Sequence, residues 1–177
     1  MASDYPAKFK TNLIQLCNDM KDIIAPIYEK GLTNINPQLI EFVSAFLNTY
    51  DTNQLFNNFI SYSCDYWGKI KAKDESFFIE NAKDIFRDLP VDNIDPFKEF
   101  FEGSNIEDED KDLIWEYFTS FVKLSLRHIH TMRCPAWKEN DGNYKKVYSN
   151  QVYMEVKNLT RMAKEFDIKL EWPAKPN

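Results

Sequence analysis

Glycine is scarce in this chain, with 4 among 177 residues. Turn-rich β architectures and phosphate-cradling loops both rely on glycine for positive φ and close backbone approach, so neither is expected. Cysteine is thin as well. Cys17, Cys64 and Cys134 are odd in number and far apart, which excludes a disulfide framework and points to reduced thiols. No apolar run approaches the roughly 18 residues that a membrane span needs. None opens the chain (MASDYPAKFK), Ala2 does not accept a myristoyl group, and AKPN is not a prenylation box. The expectation is an intracellular protein, neither secreted nor membrane-bound.

Rings are abundant: 14 Phe, 9 Tyr and 4 Trp make up 15% of the residues, within a hydrophobic share of 44%. The length suits one domain burying roughly two-thirds of its unfolded surface, with a core built from rings as much as from aliphatic side chains. The net charge of −6 conceals an asymmetry. Residues 1–122 hold 22 acids against 11 bases, a balance of −11, whereas 123–177 hold 6 against 11, a balance of +5. Two readings follow: the halves neutralise each other on packing, or the basic third faces an acidic partner.

Helix punctuation is frequent. Asp4 and Pro6 open a first helix carrying Phe9, Leu13, Leu16, Cys17, Met20, Ile23 and Ile24 at three-to-four spacing. Pro26 should kink or end it, and Gly31 is a natural stop. Asn36-Pro37 opens a second, with Ile40, Val43, Phe46 and Leu47 on its face. Asp51 with Gln54 resembles a capping box for a helix running through Trp67. Asp74 caps a helix carrying Phe77, Ala82, Ile85 and Phe86, and Asp95-Pro96 a short one ending at Gly103. The longest element is predicted near 107–132. Its acidic opening EDEDKD suits the positive end of the helix dipole, and Leu113, Ile114, Tyr117, Phe118, Phe121, Leu124 and Ile129 form its apolar stripe. Pro135 and Asp141-Gly142 predict a polar crossover loop near 133–148, after which Ser149 caps a last helix. Residues 168–177 read as a docked arm or a loose tail. The fold class is all-α: a single domain over 1–177, a compact bundle of about seven helices around the long one.

Chemistry-bearing clusters are weak. His128 and His130 are two apart on a helix and so face different sides, and Cys134 supplies no second closely spaced pair, so no metal site is predicted. A nucleophile needs a base in reach and a third group to orient it, and no such set is visible. No catalytic residue or cofactor is therefore assigned, and the chain is expected not to be an enzyme. The candidate interaction residues are Arg133, Trp137, Lys138, Tyr144, Lys145 and Lys146, where bases alternate with rings as single-stranded nucleic-acid binders arrange them.

The stretch from Trp67-Gly68-Lys69 through Ser76-Phe77-Phe78, with Asn81, Ile85-Phe86 and Leu89-Pro90, resembles a pattern in small helical proteins of nucleocytoplasmic large DNA viruses. So does Glu109 to Phe118 running into Val122-Lys123-Leu124-Ser125. The resemblance covers about residues 59–130 and implies a virus-encoded helical protein, with no functional residue carried over. The expected role is protein–protein interaction or structure. The alternative is a nucleic-acid-associated accessory factor using the basic C-terminal third.

Overall fold

In a computed structural model, which describes residues 4–89, 100–103, 105–139 and 156–172 (side chains at 78, 83, 133–139 and 156 excepted), Asp4 begins the first helix. Its carboxylate accepts from the Ala7 amide at 3.0 Å, and Pro6 lies in the first turn, where a missing N–H removes no bond. Helix α1 (Tyr5–Glu29) passes through Pro26 rather than ending there. It stops at Gly31, whose φ of +69° lets the Gly31 amide reach Tyr28 O and the Leu32 amide reach Ile27 O. Asn36 caps α2 (Pro37–Thr49) by accepting from the Gln38 amide. At its far end the Lys10 ammonium donates to the carbonyls of Asn48 and Tyr50, at 3.1 and 2.7 Å.

Asp51 caps α3 (Thr52–Ser63) through the Gln54 amide at 2.8 Å. The single helix predicted through Trp67 is broken: a 3-10 turn over Cys64–Tyr66 separates α3 from α4 (Trp67–Lys71). Trp67 is fully buried there, and its indole N–H donates to the equally buried Ser63 hydroxyl at 2.9 Å. Asp74 caps α5 (Glu75–Ile85) through the Phe77 amide. That bond, together with Lys69, holds the Asp74 carboxyl below its ordinary range. Asp95 and Pro96 lie outside the described residues, but 100–102 are helical, with Phe100 and Phe101 buried.

Helix α6 (Asp108–Glu139) is longer than the sequence indicates. Its backbone runs through Pro135, so the first part of the expected crossover loop is helical and the rest lies outside the described residues. A proline removes one hydrogen bond and bends a helix, which is not the same as ending it. Helix α7 (Val156–Glu165) is followed by Asp167 in the left-handed region. Ile168 after it is buried, and Trp172 stacks edge-on against His130 at 4.7 Å, so the arm is docked as far as Trp172.

The fold is all-α, with α6 packed against α1, α3, α4 and α7, and α1 in turn against α2 and α3. Rings join these layers. Phe9 of α1 lies within 4.9 Å of Phe56, Phe59 and Phe121, centroid to centroid. Phe121 continues along α6 to Phe118 and Trp115, and Trp115 meets Phe101 of the segment before that helix. No described helix is long and apolar enough to cross a membrane.

Candidate functional site

Arg133, Trp137 and Lys138 stand on the last turns of α6, with side chains beyond those described, and Tyr144, Lys145 and Lys146 lie outside the described residues. Two clefts sit nearer the start of the same helix, and neither was singled out by sequence.

The first lies between the end of α1 and the entry to α6 and has a volume of about 530 Å³. Its apolar wall is Ile23, Pro26, Ile27 and Leu32. The Gly31 turn swings Leu32 out of the helix, and Asn105 Nδ2 donates to the Leu32 carbonyl at 2.9 Å, tying this corner to the segment before α6. Asp22, Glu107 and Asp110 bring three carboxylates to the cleft against the single ammonium of Lys30. Acids gather there because the first turn of α6 favours negative charge. Of the three large apolar side chains most exposed among the described residues, two belong to this end of α1: Tyr28 at 41% and Leu32 at 53%.

The second cleft, of about 370 Å³, runs along α6 from Trp115 to Arg127 and is closed on one side by Lys73. Trp115 and Leu124, both buried, form its wall. Thr119, Ser120 and Lys123 are half-buried, while Glu116 and Arg127 are exposed. Helical spacing explains the grouping, since positions 116, 120, 123 and 127 recur on one face. Lys73 is already matched by Asp112 at 2.6 Å, so the cleft's remaining charge is Lys123 and Arg127, one turn apart, against the single exposed carboxylate of Glu116.

Other reactive groups are occupied with packing. His128 lies against the rings of Tyr5 and Phe56, and burial lowers its pKa from 6.5. The His130 ring Nε2 is 2.9 Å from the Glu171 carbonyl. Burial pushes the Cys17 thiol up to about 11 and also raises Cys64, keeping both in the poorly nucleophilic thiol form. Tyr117 donates to Asp19 at 2.5 Å, linking α6 to α1. Desolvation, reinforced by that carboxylate, holds the phenol well above its ordinary pKa. Among the described residues no three His, Cys, Asp or Glu side chains gather where a metal ion would be held. Comparison with protein-family models, curated proteins and solved structures finds no match.

Sequence reasoning could place each of these residues on a helix but not bring them together. Leu32 and Asn105 are 73 positions apart, and Lys73 and Asp112 are 39 apart.

Proposed function

We propose that the protein is a non-enzymatic interaction protein whose docking site is the acid-rimmed cleft between α1 and α6. Its partner is a protein segment that is basic and presents one aliphatic or aromatic anchor. The observation that carries this reading is the pairing of exposed Leu32 with the carboxylates of Asp22, Glu107 and Asp110 around one apolar wall. Apolar surface supplies affinity in such a site, and the surrounding charge sets orientation and partner choice. The packed-away histidines and the protonated thiols support a role without catalysis.

Labelled Lys/Arg-rich peptides carrying a single Leu or Phe, followed by fluorescence anisotropy, test the reading directly. Replacing Leu32 by Asp should weaken binding about tenfold or more, because an anchor buried against Leu32 contributes roughly 1.5–3 kcal/mol. Asp22→Lys should weaken it further and reduce its salt dependence. Equal affinity in wild type and Leu32→Asp, or a preference for acidic peptides, would reject the proposal.

A further inference from the structure

We infer that the second cleft, beside the middle of α6, binds a phosphate-type oxyanion carried on a small molecule. The inference is independent of the docking role of the first cleft. Four described lysines are half-buried: Lys10, Lys21, Lys111 and Lys123. Lys10 donates to two carbonyls, Lys21 reaches Glu41 at 3.0 Å and Lys111 reaches Glu75 at 3.8 Å. Lys123 alone has no hydrogen-bond or ion-pair partner among the described residues. Glu116 lines the same cleft but is exposed and makes no ion pair with Lys123; a partly desolvated ammonium that no carboxylate pairs is unfavourable, and an anion entering the cleft removes that cost.

The hydroxyls beside it behave in the same way. Ser125 and Thr49 turn back onto the carbonyls of Phe121 and Phe46, each at 2.8 Å, as hydroxyls in helices commonly do. Thr119 and Ser120, half-buried in the cleft, make no such bond and so have donors to spare. Lys123 contributes a point charge, Arg127 a planar fork suited to two oxygens, and the two hydroxyls further donors. The chemistry is that of a tetrahedral oxyanion bound by its oxygens, with Trp115 and Leu124 beside the remainder of the molecule. From Trp115 to Arg127 the helix rises only about 18 Å, room for one phosphate group and its substituent rather than a long nucleic-acid track.

The test is calorimetric titration at low ionic strength with inorganic phosphate, phenyl phosphate, phenol and a thymidine oligonucleotide. Phosphate and phenyl phosphate should bind and phenol should not. Tighter binding of the ester than of phosphate assigns the ligand to an organic phosphate, and equal binding assigns it to the free ion. Lys123→Met and Arg127→Met should each reduce affinity about tenfold, as loss of a charge-assisted hydrogen bond does. Thr119→Val with Ser120→Ala should reduce it several-fold. Without ligand, Lys123→Met should melt at or above the wild-type temperature, since it removes an unpaired charge; a lower melting temperature would assign Lys123 a structural role and overturn the inference. So would phenol binding as well as phenyl phosphate, or affinity unchanged by Lys123→Met. An oligonucleotide binding more than tenfold tighter than phenyl phosphate would replace the small-molecule site with a nucleic-acid one.

Discussion

His128 shows what a single half-buried ring does to the pH response of the molecule. Its imidazole lies 5.1 Å from Phe56 and 6.3 Å from Tyr5, and burial there disfavours the charged form. Above the ordinary value of 6.5 the ring is neutral in both folded and unfolded chains and contributes nothing to pH dependence. As pH falls through 6.5, the unfolded chain takes up a proton that the folded chain refuses, so stability declines until the lowered folded pKa is reached and then levels. The urea midpoint should therefore drop as pH falls below the ordinary value of 6.5, and His128→Gln should flatten that part of the curve. Asp74 acts in a separate, more acidic window. Its carboxyl is held below 3.8, and its contribution is lost only as pH falls through that lowered value. A slope just below pH 6.5 that is unchanged in His128→Gln would mean the ring is solvated rather than packed.

Helix ends repeat one device in this fold, and sequence revealed only one instance of it. After α1, α4 and α7 the chain enters the left-handed region at Gly31, Lys73 and Asp167, with φ of 69°, 51° and 57°. In each case two backbone amides close onto the preceding turn, as when Asp167 reaches Lys164 O and Ile168 reaches Ala163 O at 3.1 and 2.7 Å. Glycine carries no steric penalty at such a position, whereas a side chain costs about 1–2 kcal/mol. Asp167→Gly should raise stability by roughly 0.5–1 kcal/mol, the extra freedom of an unfolded glycine offsetting part of the gain. A urea midpoint shifted upward checks it. Lys71 lies 3.9 Å from Asp167, but both are exposed and their pairing contributes little. Gly31 was legible as a stop because glycine is the usual residue there. Lys73 and Asp167 were not, because nothing about a lysine or an aspartate specifies left-handed backbone. Helix starts were more legible: Asp4, Asn36, Asp51 and Asp74 all cap where sequence puts them. The clefts were illegible for a related reason. A threonine and a serine inside a helix look the same whether their hydroxyls turn back on the backbone, as at Ser125, or remain available, as at Thr119 and Ser120.

At the scale of the whole molecule, one helix carries both signs of charge and most of the ring network. The acidic opening of α6 rims one cleft, and Lys123 and Arg127, farther along, line the other. The reversal in charge between residues 1–122 and 123–177 thus falls within a single element. What holds that helix in place is aromatic. Phe9 is 1% exposed and meets three rings from α3 and α6, making it the point where α1 joins the rest. Truncation of such a residue removes its transfer energy and leaves a cavity, together worth about 3–5 kcal/mol. For a chain of this size each kcal/mol corresponds to roughly 2–4 °C, so Phe9→Ala should lower the melting temperature by about 6–20 °C. Phe42, on the outer side of α2 and 57% exposed, is the matched control, and Phe42→Ser should stay within about 0.5 kcal/mol of wild type. Because Phe9 connects three helices, far-ultraviolet ellipticity and tryptophan fluorescence should fall together in both proteins, as one cooperative transition. If α1 and α2 melted before Trp67 and Trp115 became exposed, the rings at Phe9 would be in contact without coupling the two parts, and the bundle would be two units instead of one.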